Sequence, residues 1–158
     1  KPPELLLDYR SYDYSVDVWS TGCLLAELVF KKLQFFQNPK RDLFDETLPK
    51  EHRQRLEYIN LLEVIMIIKG SEELMEYVKK YEGKMNLGIL LQGIGRYEKK
   101  SFKDFVNEEN QGLVDDMMID LLEKMLTYDH KRRITASEAL MHPYFDDIRM
   151  GSIEKKEL

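Results

Sequence analysis

Few of the side chains in this sequence that could do chemistry stand at the spacing chemistry needs. The three histidines, His52, His130 and His142, have no second ligand at the short interval of a metal site. The lone cysteine, Cys23, lies in an apolar run and reads as a small buried hydrophobe, with no disulfide framework around it. Gly93-Ile94-Gly95 opens like a phosphate loop but lacks the third glycine and a flanking strand, so it reads as a helix stop. Three charged residues have a more telling setting. Glu4 follows two prolines, Asp17 heads a long apolar run, and Arg133 lies in the string D-H-K-R-R-I-T at 129–135. A carboxylate at a helix start is favoured by the helix dipole and can accept backbone N–H bonds, which makes Asp17 a helix head. No residue is assigned as catalytic, cofactor-binding or metal-binding on these patterns.

The element that Asp17 heads is the run 17–30, D-V-W-S-T-G-C-L-L-A-E-L-V-F. Val18, Trp19, Cys23, Leu25, Leu28, Val29 and Phe30 fall on several sides of a helical wheel, the mark of a helix surrounded by other elements. Gly22 costs that helix roughly 1 kcal/mol of propensity, which predicts another backbone or ring passing close. The helix is expected to begin near Ser15, to end near Lys31, and to form a buried hub.

The elements around it predict an all-α domain. Pro3 at a first helical position and Glu4 in the first turn start a short helix reaching about Tyr9. Asn38-Pro39 signals a turn, and residues 38–55 read as a polar insertion. Pro49 excludes one continuous helix through that insertion and is the alternative start of one. Leu56, Ile59, Leu62 and Met66 are spaced as a helix over 56–68. Gly70 is its C-cap, and Ser71 starts the next helix, which stops at Gly83. Short helices are expected over 86–95 and over 101–106, the latter with Phe102 and Phe105 on one face. Asp115 opens a helix whose stripe is Leu121, Leu122, Met125 and Leu126. Thr135-Ala136-Ser137-Glu138 is a capping box, and Pro143 ends the helix after it. Residues 146–158 read as a charged, frayed tail. There is no internal repeat and no convincing strand pair.

A single domain over 1–145 fits a chain of 158 residues. Charged residues make up 34% and the net charge is −5, so no basic excess argues for nucleic acid. Lys131-Arg132-Arg133 is too short to be a binding patch. The longest apolar run, 64–68, is too short to span a bilayer. No secretory signal opens the sequence, and a start on K-P-P-E without methionine is what a piece of a longer, soluble, intracellular chain would show.

Three separated features then converge. The P-P-E containing Pro3 and Glu4, the D-V-W-S-T-G at 17–22, and the D-H-K-R-R-I-T at 129–135 followed by H-P-Y-F resemble, in order and spacing, three motifs in the large lobe of eukaryotic protein kinases. The segments KPPELLLDYRSYDYSVDVWSTGC, FVNEENQGLV and LLEKMLTYDHKRRITASEALMHPYF are similar to the casein kinase 2 catalytic branch of that family, from residue 1 to about 145. The resemblance implies the C-terminal half of a kinase large lobe. In it Asp17 holds the catalytic-loop backbone, Trp19 packs under the activation segment, and Glu4 pairs with Arg133. It also implies that Lys1 lies beside the residue following the phosphoacceptor and favours acidic substrate segments. Two positions depart from that branch: Gln34 replaces a proline before Phe35-Phe36, and Glu27 stands where a small neutral residue is usual.

The same resemblance marks what the sequence does not contain. Phosphoryl transfer uses a glycine-rich loop, a strand lysine, a catalytic Asp, and a metal-holding Asp and Asn. No H-R-D, D-F-G or V-A-I-K occurs here. The expectation is a substrate-side platform that is inert alone and binds no cofactor itself, from a parent kinase that uses Mg-ATP. Its expected partners are protein substrates with acidic segments, the N-terminal half of the kinase and a regulatory subunit, in the cytoplasm or nucleus, with neither nucleic acid nor membrane. The hub helix, without that other half, is expected to leave an apolar face open and to self-associate through it. The alternative is a non-catalytic helical interaction module that uses residues 42–51 as its contact.

Overall fold

The structure, a computed structural model, describes residues 1–32, 35–36, 47–83 and 95–154, with side chains as far as 150. Among the described residues every regular element is a helix and there is no strand. Helix α1 (Pro3–Leu6) is a single turn with proline at its start. It is shorter than the reach to Tyr9 because Asp8 turns left-handed, at φ 55°, and the Tyr9 N–H donates back to the Glu4 carbonyl.

Helix α2 (Ser15–Val29) is the hub, with the bounds its apolar run predicts. Trp19 and Ala26 are fully buried in it. Its main neighbour is α5 (Asp116–Met125), whose Met118, Leu121, Leu122 and Met125 form one buried stripe. A Cβ on Gly22 would stand 3.0 Å from the Met125 Cβ and 3.0 Å from the Leu126 Cδ2. The close neighbours are thus side chains of and just after α5, not the backbone or ring expected.

The burial of α2 is one-sided. Asp17, Ser20, Thr21, Leu24 and Leu28 follow helical spacing and all face outward. Leu24 is 60% and Leu28 72% exposed. Apolar residues on several sides of the wheel therefore do not translate into cover on every side.

At its C-terminal end α2 runs into an aromatic cluster. Phe30 lies 5.2 Å from Phe35 and 6.0 Å from Phe102, and Phe35 lies 4.9 Å from Phe105. Phe102 and Phe105 come from one 3₁₀ turn (Phe102–Phe105), closed by a reciprocal Ser101–Asp104 capping box. That box is a local signal absent from the sequence reading.

Helix α3 (Lys50–Lys69) begins directly after Pro49, the alternative start that the sequence offered, so residues 50–55 are its first turns. Proline presets the helical φ of the entry, and Lys, Glu, Gln and Arg are good helix formers. Residues 38–46 of the proposed insertion, and the short helix expected over 86–95, fall on residues outside those described, apart from Gly95. Gly70, at φ 82°, ends α3 as expected. Helix α4 (Glu72–Lys80) stops three residues before Gly83. Ser71 does not cap it: its hydroxyl accepts from the Tyr97 N–H at 3.0 Å and donates to the Tyr97 carbonyl.

Asp115 caps α5 through the Met118 N–H at 2.7 Å. Thr135 and Glu138 form the expected capping box of α6 (Ala136–Leu140), and a 3₁₀ turn (Pro143–Phe145) follows. The tail is not frayed at its start. Residues Asp146–Glu154 form α7, with two carboxylates in the first turn, and Arg149 ties it to the Leu140 and His142 carbonyls and to Asp146. No helix among the described residues is long and apolar enough to cross a membrane.

Candidate functional site

Three elements meet at Arg133. It follows α5 by a short turn, while Glu4 comes from α1 and Ser15 opens α2. The Arg133 Nη1 donates to Glu4 Oε1 at 2.8 Å, and Nη2 donates to Glu4 Oε2 at 3.0 Å. Both side chains are fully buried. The other donors go to backbone carbonyls: Nε to Thr127 at 3.0 Å, Nη1 to Ser15 at 2.8 Å, and Nη2 to Tyr128 at 3.2 Å. All five guanidinium N–H groups are therefore used, in the bidentate geometry that suits arginine and not lysine. The indole of Trp19 lies under the same group, 5.0 Å from Cζ to ring centroid. Residues 129 positions apart thus clamp the start of the chain to the base of the hub.

The clamp fixes the entry of Lys1. The Lys1 ammonium sits 4.3 Å above the Tyr58 ring and donates to the Tyr58 hydroxyl at 3.1 Å. Gln54 Nε2 donates to the same oxygen at 2.7 Å. These two hydrogen bonds, Lys1 first, hold the Tyr58 hydroxyl below the ordinary tyrosine range. With its oxygen accepting twice, Tyr58 has its own O–H left to donate. Lys1, Tyr58 and Gln54 together form a patch of donors at the surface of α3. Tyr58 and Gln54 were missed in the sequence because nothing local links them to residue 1.

The remaining sequence candidates stand apart from this patch. Asp17 is exposed at the head of α2, and its carboxylate makes no hydrogen bond or ion pair among the described residues. Its backbone is used instead, the carbonyl accepting from the Thr21 hydroxyl and the N–H donating to the Tyr14 carbonyl. Glu27 is half-buried on α2, and Gln34 lies outside the described residues. Burial pushes the Cys23 thiol up to about 12, which leaves it inert as a nucleophile at neutral pH.

The histidines take structural positions. His52 is exposed on α3; the His142 Nε2 meets Asp120 at 2.9 Å, and its Nδ1 accepts the Tyr144 N–H. His130 is buried against Tyr77. A second missed feature is Lys69, only 2% exposed, whose ammonium pairs with Glu123 at 2.8 Å. Lys99 reaches the same carboxylate oxygen at 3.0 Å. Burial lowers the Lys69 pKa; burial would raise that of Glu123, but the two lysines hold it below the ordinary range. Nothing local in the sequence marks Lys69, because Glu123 lies 54 residues away.

The donor set does not suit Mg-ATP. Among the described residues no three His, Cys, Asp or Glu side chains converge on a point where a metal ion could sit, and the lone Asp17 carboxylate cannot hold magnesium and a triphosphate together.

A central helix buried on one side and tied at its base by a buried Glu–Arg pair defines a helical lobe. A family model described as the protein kinase domain matches residues 1–145, and the chain belongs to that family. Within it, the helical architecture is that of the C-terminal part of the large lobe.

Proposed function

We propose that this chain is the substrate-side platform of a serine/threonine protein kinase of the casein kinase 2 kind, whose reaction moves the γ-phosphate of ATP to hydroxyls in acidic protein segments. The observation that carries the reading is the donor patch of Lys1, Tyr58 and Gln54, held in place by the Glu4–Arg133 clamp. The Lys1 ammonium and the unused O–H of Tyr58 are donors that suit a carboxylate, and a charge-assisted bond from Lys1 strengthens the contact. Asp17, with an uncommitted carboxylate, is placed to receive backbone N–H groups of a catalytic loop. Leu24 and Leu28 then lie under the part of the kinase that carries that loop. The 158 residues alone bind no nucleotide and turn over no ATP.

Titration of an acidic serine peptide into the chain tests this, followed by amide shifts at residues 1 and 54–58. The acidic peptide is expected to bind and its basic counterpart not to bind, with binding lost in Lys1→Glu. Equal binding of both peptides would remove the substrate reading. Incubation with labelled ATP, Mg²⁺ and the acidic peptide checks the inertness, and turnover above blank would overturn it.

A second reading, a non-catalytic helical interaction module, is favoured by the open stripe of α2 together with the missing catalytic motifs. Under that reading a partner competes for Leu24 and Leu28, and the Lys1 patch has no preference for acidic peptides. Self-association through the same stripe is a further outcome, visible as concentration-dependent mass in light scattering.

A further inference from the structure

His130 is caged by three tyrosines. Its ring centroid lies 4.9 Å from Tyr9, 5.0 Å from Tyr81 and 5.8 Å from Tyr77. Tyr9 comes from the turn after α1, whereas Tyr77 and Tyr81 come from α4 and its C-cap. The cage therefore brings α4 against the N-terminal segment. The only hydrogen bond inside it is between the Tyr77 hydroxyl and His130 Nδ1, at 2.8 Å. His130 Nε2 is buried and has no hydrogen-bond partner.

Every carboxylate that faces His130 is already committed. From α1, Glu4 is held by Arg133 at 2.8 Å. From the segment before α2, Asp13 is held by Lys131 at 2.7 Å. In the turn that carries His130, Asp129 is held by Lys80 of α4 at 2.6 Å. The remaining neighbours are the cations of those pairs and the tyrosine rings. An imidazolium here would have no free counter-ion, and burial without one is costly.

We propose that His130 is a proton-sensitive latch, and that a proton on its ring opens the tyrosine cage and releases α4 from the segment bearing Lys1, Glu4 and Tyr9.

The hydrogen bonds give the mechanism. In the neutral cage Tyr77 keeps its proton, burial holding its hydroxyl well above the ordinary range, and donates it to Nδ1. On protonation both ring nitrogens become donors. Nδ1–H must then take the Tyr77 oxygen, the Tyr77 proton loses its acceptor, and Nε2–H still has none. The pair is re-formed with its direction reversed, the unmatched donors rise from one (Nε2–H) to two, and a charge is buried. Opening the cage to water relieves all three. Burial pushes the His130 ring below its ordinary value of 6.5, with Glu4 and Asp129 pulling the other way. For a group depressed in the folded state, the stabilisation is complete above the unfolded value and is lost as pH falls below it. The latch is thus closed at neutral pH and loosens in mild acid.

The test is a joint NMR titration of the 158-residue chain, following the three histidine rings and amide exchange corrected for intrinsic rates. The expected result is that α4 and residues 2–9 lose protection together, in step with the His130 signal, while α5 keeps its protection. The double variant Tyr77→Phe/His130→Phe keeps the cage filled with rings and removes both polar partners, a change that can be nearly neutral. It should show no such loss, whereas His142→Gln should retain it.

The latch is overturned if α4 keeps its protection through the His130 titration, or if His130 stays neutral to the acid limit of the fold. The same loss in the double variant would overturn it too. Should that variant fail to fold, the α4-against-α5 comparison in the unaltered chain decides alone. None of these readouts involves a peptide or ATP, so the outcome is separate from that of the kinase reading.

Discussion

Arg133→Met removes the cation from a fully buried ion pair. The substitution keeps most of the side-chain volume over Trp19 but deletes five N–H donors. Glu4 is left as a fully buried carboxylate with no cation, and the carbonyls of Thr127, Ser15 and Tyr128 lose a donor. Removing one partner of a buried pair costs about 3–5 kcal/mol. Orphaned carbonyls cost about 1–3 kcal/mol where water cannot reach them, so the expected loss lies at or above the top of the first range. Domains of this size are stable by about 5–15 kcal/mol in all, and the variant should be near its folding limit. Glu4→Gln is the milder perturbation, because the amide oxygen still accepts and Arg133 keeps its three carbonyls. The guanidinium is still left buried without a counter-ion, so the cost should lie at the lower end of the range for a broken buried pair, about 3 kcal/mol. In Glu4→Met/Arg133→Met no charge is left unpaired, and its cost should fall below the sum of the single variants by about 0.5–3 kcal/mol. The assay is urea unfolding followed by Trp19, the sole tryptophan and fully buried. An Arg133→Met loss under about 1 kcal/mol, or strict additivity in the cycle, would refute the clamp as an energetic unit.

Four other outcomes follow from the packing. Gly22→Val forces branched atoms into a gap already 3.0 Å wide at the Cβ, and should lower urea stability by about 1–3 kcal/mol. Thr135→Ala removes the oxygen that accepts the Glu138 N–H, costing about 1 kcal/mol and loosening exchange in α6 alone. Lys69→Met should be neutral or stabilising, because Lys99 remains on Glu123; Glu123→Ala strands Lys69 and should cost about 3–5 kcal/mol. Asp129 is held below its ordinary range although burial opposes it, because Lys80, the Lys131 N–H and Tyr81 outweigh that burial. Its contribution is present above the unfolded value of 3.8 and disappears as pH falls through the lower folded value. An acid-unfolding profile should therefore show a step below pH 3.8 that Asp129→Asn flattens, distinct from the His130 window below 6.5.

Much of the helical framework was legible in the residues themselves. Pro3, Asp115 and the Thr135–Glu138 box start helices through bonds that span only a few residues, so the signals survive without knowledge of the fold. The extent of α2 and the apolar stripe of α5 were equally plain from periodicity. The pairing of Glu4 with Arg133 was not: no spacing rule joins residues 129 apart, and only the resemblance to protein kinases raised it. Pro49 left two readings open because proline starts a helix as readily as it breaks one, and the helicity of 146–154 was missed because Arg149 stabilises α7 through carbonyls of an earlier turn.

The sequence by itself settled where helices such as α1, α2 and α5 begin, which stripe of α5 is apolar, and the family to which its motifs point. Only the tertiary structure decided which side of α2 lies open, that Lys69 sits buried on Glu123, that Tyr58 and Gln54 frame Lys1, and that three tyrosines close around His130. Caps and stripes depend on neighbours within a turn or two of chain. Exposure, counter-ions and cages depend on which distant surface arrives alongside, and that is set by how the whole core packs.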